Sequence, residues 1–204
     1  MSETTSQDFL SLVTARRGHF RLESGHHSQL WLDLDGLFVE PVRVAPFVND
    51  LAQTLRAHEP AAICGPLVGG AFLAQMLAAA LQVEFAFTER VLPAGREGLY
   101  PAEYRLPRGL SDRVREKRVA IVDDVISAGS AVRGTHAELK AHGAHPGVVG
   151  ALLVLGSLGS TFFAEQGVPV TSVAKLPYDM WLPEDCPLCI SGLPFEDIAG
   201  SPPL

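Results

Sequence analysis

The amino-acid order predicts an α/β domain: a parallel sheet with helices packed on both faces. Three observations carry that reading. Between residues 61 and 175, short strand-like runs alternate with helix-like runs. The strand-like runs are continuously apolar, as strands buried on both faces are, where half-exposed strands would alternate. The chain has 204 residues, 47% hydrophobic and 19% charged, enough to bury a core without disulfides.

Each element follows from local pattern. Phe9, Leu10, Leu12 and Val13 give Thr5 to Arg17 an apolar face, and Gly18 is placed to stop that helix. His19 to Leu22 and Leu30 to Leu34 read as strands joined through Ser24-Gly25-His26-His27, a hairpin. Pro41 opens a helix whose Val44, Phe47, Val48, Leu51, Ala52 and Leu55 recur at helical spacing, to about His58. The alternation then runs strand Ala61 to Cys64, helix Ala71 to Leu81, strand Val83 to Phe87, strand Arg118 to Val122 and helix Ser130 to His142. It closes with strand Val148 to Leu155, helix Thr161 to Gln166 and strand Val170 to Lys175. Thr88 to Lys117, charged and rich in Pro and Gly, is too long for a plain connection and reads as a functional flap or a small β-excursion.

Composition narrows the function classes. Sixteen Lys plus Arg against 23 Asp plus Glu give −7, the wrong sign for a general nucleic-acid binder. No run approaches the ~18 apolar residues of a membrane span. Met1 to Asp8 has no basic or apolar signal region. Three cysteines, an odd number, point to a reducing compartment, so the expectation is a cytoplasmic protein with neither nucleic-acid nor membrane partners.

The most informative stretch runs from Arg118 to Val132. A buried strand ends in Asp123-Asp124, a loop of small residues follows, and a helix begins. Gly129 lets the backbone amides turn inward, Ser127 and Ser130 add hydroxyls, and the helix adds its positive end, a setting suited to a phosphate monoester. Two carboxylates beside an anion site make sense when the ligand also carries hydroxyl donors or a Mg²⁺. A receiver domain also places an acidic pair at a strand end, but here Val148 to Leu155 ends in Gly156-Ser157 with no acceptor aspartate.

This stretch resembles the signature of the type I phosphoribosyltransferases, which use 5-phosphoribosyl-1-pyrophosphate (PRPP). The resemblance implies that family's fold, with an N-terminal hood and a flexible flap on the parallel sheet. It implies Asp123 and Asp124 as ribose contacts and Ser127, Ala128, Gly129, Ser130 and Ala131 as the 5-phosphate cradle. The turn Gly65-Pro66-Leu67-Val68-Gly69-Gly70 sits where the family holds pyrophosphate, implying Gly65, Pro66, Val68, Gly69 and Gly70 as contacts. Residues 18–33 are similar to the orotate branch, whose corresponding residues form a hood over the base, implying Phe20, Ser24, Gly25 and Trp31 as base contacts. Residues 1–40 would then be the hood with its preceding helix, 41–178 the core with flap 88–117, and 179–204 a Pro-rich tail. Further implications are Mg²⁺ with PRPP, a nucleobase-like acceptor and a homodimer.

The chain departs from the orotate pattern at its cations. Glu23 and Gly69 stand where that branch has lysines, the stretch Phe87 to Leu92 lacks its Arg-Lys-Glu-x-Lys run, and Gly156-Ser157 replaces an arginine site. Each lost cation would have met a carboxylate or the charge developing on pyrophosphate. Arg90 and Arg105, in the flap, are the candidate catalytic replacements beside Asp123 and Asp124. The expected reaction is transfer from Mg²⁺-PRPP to a ring nitrogen of a base, without orotate being implied; the alternative is a non-catalytic PRPP sensor of the same fold. Tyr100 and Tyr104 would stack on a ring or cover the core. Cys186-Pro-Leu-Cys189 reads as a zinc half-site, completed by a second copy or a histidine, or as reduced thiols in a docked tail. His26 and His27 read as solvated turn residues or base contacts, and Cys64 as core.

Overall fold

The computed structural model describes residues 3–34 and 36–196. Its elements are α1 (Glu3–Leu10), β1 (Thr14–Arg21), β2 (His27–Asp33), α2 (Pro41–Arg56), β3 (Ala62–Pro66), α3 (Gly69–Leu81), β4 (Glu84–Val91) and β5 (Glu103–Arg105). There follow α4 (Ser111–Val114), β6 (Arg118–Ile126), α5 (Ser130–Ala141), β7 (His145–Leu155), α6 (Leu158–Glu165), β8 (Val170–Leu176), β9 (Met180–Trp181) and α7 (Pro187–Ile190).

The main sheet has the order β5-β4-β3-β6-β7-β8. From β4 to β8 neighbouring strands are parallel, and β5 alone runs antiparallel, as an edge strand on β4. Successive residues of a strand feed opposite cores. Ile63, Ala120 and Val122 pack with Phe9 of α1, Val44 and Leu51 of α2 and Leu73 and Leu77 of α3. Cys64, Val119 and Ile121 pack on the other face with Val114 of α4, Val132 and Leu139 of α5 and Phe163 of α6. Both faces are covered, and that is why these strands carry no polar alternation. The periodic face read for α2 is the buried one: Val44, Phe47, Val48, Leu51, Ala52 and Leu55.

Three differences from the sequence reading bear on the site. The first helix stops at Leu10, and Thr14–Arg17, expected helical, belong to β1, where they oppose Leu30–Asp33 of β2. A ladder partner distant in sequence outweighs a short helical pattern there. β6 continues through the acidic pair to Ile126, with Asp123 opposite Ala151 of β7. The 88–117 segment is structured by β4 extending to Val91, by β5 and by α4.

The N-terminal hairpin forms a second sheet, β1-β2-β9, whose third strand comes from the C-terminal segment. His27 and Ser28 pair with Trp181 and Met180. Among the described residues, no helix is long and apolar enough to cross a membrane.

Candidate active site

The acidic pair and the glycine turn, 53 residues apart in sequence, lie against each other (from Gly70 to Asp123). A Cβ placed on Gly69 would fall 2.0 Å from Asp124 Oδ2, and one on Gly70 would fall 2.6 Å from Asp123 Oδ1. Glycine is needed here for close approach. Gly65, at the start of the turn, is equally constrained, since its Cβ would meet the carbonyl oxygen of Gly70 at 2.0 Å. Pro66 is buried, and Val68, 62% exposed, precedes the first turn of α3.

Asp123 is buried and Asp124 half-buried. The Asp124 amide donates to Asp123 Oδ1 at 3.1 Å, and the Val125 amide to Asp124 Oδ1 at 2.8 Å. Burial above all, and then the adjacent Asp124 charge, hold the Asp123 carboxyl well above the ordinary carboxylate range. A bound group that donates hydrogen bonds or brings positive charge would relieve that cost.

After β6 the chain turns through Ser127 and Ala128 to Gly129, whose φ of +81° places it in the left-handed region at the N-cap of α5. Among the described residues, none of the amides of Ser127, Ala128, Gly129, Ser130 and Ala131 donates a hydrogen bond. Five unsatisfied donors at the positive end of a helix of 12 residues are suited to receiving an anion.

The hairpin turn and the 88–117 segment meet beside this loop, where Tyr100 Oη lies 3.5 Å from the Ala128 carbonyl oxygen. Gly25 (φ +83°) lets the turn approach Gly98, whose carbonyl oxygen lies 2.8 Å from where a Cβ would sit. The Tyr100 amide donates to the Ser24 carbonyl at 3.0 Å, and Ser24 Oγ lies 3.0 Å from His26 Nδ1. Phe20 is buried, with the Trp31 ring 6.0 Å away, so Phe20 supports the hood from beneath. His26 and His27 are both buried, which corrects the expectation of solvated turn residues; the β1-β2-β9 sheet and the flap cover them.

Arg90 and Arg105 separate. Arg90 Nε lies 3.2 Å from Glu23 Oε2, off hydrogen-bonding angle, and its Nε and one terminal nitrogen are buried without a hydrogen bond. Tyr104, 3% exposed, donates to Glu23 Oε1 at 2.8 Å and feels the charge of Asp123, so Glu23, Tyr104 and Arg90 are grouped beside the acidic pair. Tyr104 is therefore a core residue, unavailable for stacking. Arg105 points elsewhere: it pairs with Glu103 and, at 3.1 Å, with Glu138, two turns along α5 from the unsatisfied amides.

Arg133 was not singled out by the sequence. Its guanidinium lies between the rings of Tyr100 (4.4 Å) and Phe162 (4.1 Å), and its Nε is buried without a partner, 3.6 Å from where a Gly129 Cβ would sit. The available signal was a cation in the first turn of α5, opposed by the helix dipole unless an anion is near. Cys186 and Cys189 lie outside this site, against His19 and His27 under the hood. Cys64 is in the core, where burial pushes its thiol up to about 12.

Comparison with known proteins shows the family. The phosphoribosyl transferase domain matches residues 44–168. The orotate phosphoribosyltransferase of Carboxydothermus hydrogenoformans is 36% identical over 188 residues, 91% of each chain, and that of Thermotoga petrophila is 35% identical over 179 residues, 88% of each. Among solved structures, orotate phosphoribosyltransferase from Aeropyrum pernix superposes with a TM-score of 0.60 at 25% identity, covering 79% of this chain and 88% of that one. Adenine phosphoribosyltransferase from Thermoanaerobacter pseudethanolicus shares the fold at a TM-score of 0.66 and 18% identity, covering 83% and 99%. From the strand-borne acidic pair, the unsatisfied amides and these matches together, the chain belongs to the phosphoribosyl transferase domain family, a family of glycosyltransferase-type enzymes.

Proposed function

We propose that the protein transfers the 5-phosphoribosyl group of PRPP to a ring nitrogen of a pyrimidine base, orotate or a close relative, releasing pyrophosphate. The observation that carries this reading is the junction of Asp123-Asp124 with the Gly69-Gly70 turn beside the unsatisfied amides of residues 127–131. The choice of base class is supported by the curated orotate phosphoribosyltransferases at 35–36% identity. No such support exists for a PRPP sensor without turnover.

In this reading the amides of Ser127 to Ala131 and the α5 dipole hold the 5-phosphate. Asp123 and Asp124 accept hydrogen bonds from the ribose hydroxyls. The Gly65-to-Gly70 turn takes the pyrophosphate, since its glycines bring backbone directly against the two carboxylates that flank the sugar. As the C1–O bond lengthens, positive charge builds on the sugar beside two carboxylates, and negative charge builds on the leaving group. Arg90, with buried nitrogens lacking hydrogen-bond partners, is the catalytic cation proposed here, and it stands against Glu23 where the orotate branch has a lysine. Oxygen donors from adjacent carboxylates fit a hard divalent cation, and Mg²⁺ entering with PRPP supplies charge neutralisation on the pyrophosphate. Ser24, Gly25 and Trp31 face the base, with Phe20 as their support, and residues 88–117 act as the flap. A homodimer belongs to the same proposal, supported by the exposed apolar side chains Val39, Val42 and Phe72; a cytoplasmic location is supported by the three free thiols.

Two measurements test it. Calorimetry should show PRPP binding that strengthens with Mg²⁺ and disappears in the Asp123→Asn/Asp124→Asn variant. Pyrophosphate release should then be seen with orotate or a related pyrimidine. Release with purines only, or with no base despite tight PRPP binding, overturns the assignment.

A further inference from the structure

We propose that His19, His27, Cys186 and Cys189 bind a structural zinc ion that staples the C-terminal segment to the hood hairpin. His19 lies in β1, His27 opens β2, and the two cysteines flank the start of α7. One donor atom from each lies within 4.8 Å of every other. The separations are those of one coordination shell. His19 Nε2 is 3.3 Å from His27 Nδ1, 3.5 Å from Cys186 Sγ and 3.7 Å from Cys189 Sγ, and Cys189 Sγ is 3.3 Å from His27 Nδ1. A tetrahedron with Zn–N near ~2.05 Å and Zn–S near ~2.3 Å has N···N edges of about 3.3 Å and N···S edges of about 3.6 Å. Four of the six donor–donor separations thus match such a tetrahedron, and the other two lie within 4.8 Å.

The chemistry of the surroundings agrees. His19 Nδ1 lies 2.8 Å from the Leu193 carbonyl, so it carries the ring proton, donates there, and leaves Nε2 with its lone pair toward the other three donors. A hydrogen-bond network would have to share that single lone pair among three neighbours, whereas a cation uses one lone pair from each. His19, His27 and Cys186 are 1%, 5% and 0% exposed, and Phe195 closes the shell, stacked on His19 at 4.1 Å and edge-on to His27 at 4.8 Å. Cys189, exposed, is the side from which an ion enters. Two thiolates and two imidazoles select Zn²⁺ over Mg²⁺ or Ca²⁺, and a shell of four protein ligands with no open position is structural in type.

The fold also needs such a link. β9 is two residues long, α7 has no buried residue, and Ile190 and Leu193 are 78% and 45% exposed, so apolar burial does little to hold this segment. A zinc site supplies that holding energy where a disulfide would be reduced. Its two histidines bracket Phe20 to His26, the segment that carries the proposed base contacts Ser24 and Gly25. On that reading of function, loss of zinc raises KM for the base more than for PRPP; occupancy itself does not depend on it.

The test uses the full chain purified under reducing conditions without chelator. Elemental analysis should find about one zinc per chain, falling below about a tenth in the Cys186→Ser/Cys189→Ser variant. In case that variant misfolds, the wild-type chain refilled with Co²⁺ should show the intense visible absorption of tetrahedral cobalt and a near-ultraviolet thiolate-to-cobalt charge-transfer band. Absence of bound zinc, an octahedral cobalt spectrum without the thiolate band, or a Cys186–Cys189 disulfide by mass spectrometry overturns the proposal. Each readout is independent of catalysis, so failure of the transferase assignment would leave it standing.

Discussion

Replacing Gly69 by alanine separates function from stability at the proposed PRPP site. The new Cβ would lie 2.0 Å from Asp124 Oδ2 and 2.6 Å from its Cγ, and real Cβ contacts do not fall below 3.0 Å, so the carboxylate must withdraw by about 1 Å. That movement strains the 2.8 Å bond from the Val125 amide to Asp124 Oδ1. It is nevertheless a rotation of a half-exposed side chain, so folding should lose no more than ~1 kcal/mol, read as ~2–4 °C in Tm for a domain of this size. A ~1 Å misplacement of a reacting group costs on the order of 10²-fold in rate, equivalent to about 2.7 kcal/mol of activation free energy. The assay is pyrophosphate release at varied PRPP, beside a thermal melt. Gly65→Ala is the control: its Cβ would meet the backbone oxygen and carbon of Gly70 at 2.0 and 2.4 Å, a clash no side-chain rotation relieves, so its Tm should fall much further. Wild-type kcat/KM in Gly69→Ala, or a fall in Tm matching that of Gly65→Ala, would refute the reasoning.

Three further substitutions follow from the electrostatics of the site. The Asp123 carboxyl has a folded-state pKa above its unfolded value of about 3.9, so the stability it contributes is present below that pH and is lost as pH rises through the folded value. Asp123→Asn removes the titration: its Tm near pH 7 should exceed that of the wild type and vary less with pH, while PRPP affinity falls; an unchanged or lower Tm at pH 7 contradicts the burial argument. Arg90→Ala should lose on the order of 10²-fold in kcat/KM. Arg105→Ala should keep kcat/KM within about threefold and cost ~1 kcal/mol of stability, because Glu138 is buried but Arg105 is more than half exposed and screened. Steady-state kinetics and melts of the two variants decide between these cations, and the opposite ranking would return Arg105 to the catalytic role its position in the flap suggested.

What the sequence by itself determined is everything set by local periodicity and turn chemistry. Helical spacing identified the six buried residues of α2, continuous apolar runs identified strands covered on both faces, and Asp123-Asp124 followed by small residues identified the turn from β6 into α5. These signals are complete within a dozen residues, so they survive without knowledge of neighbours. Only the tertiary structure decided what depends on partners far along the chain. Thr14–Arg17 became strand because Leu30–Asp33 lay opposite, and Arg105 left the site because Glu138 on α5 was within reach. Arg133 entered it because Tyr100 and Phe162 approach from different segments. The gathering of His19 and His27 with Cys186 and Cys189 is the extreme case, since the cysteine pair by itself reads as no more than half a zinc site and the two histidines that join it lie about 160 residues away. Packing, register and side-chain reach made that convergence, and they act through space, where sequence distance carries no signal.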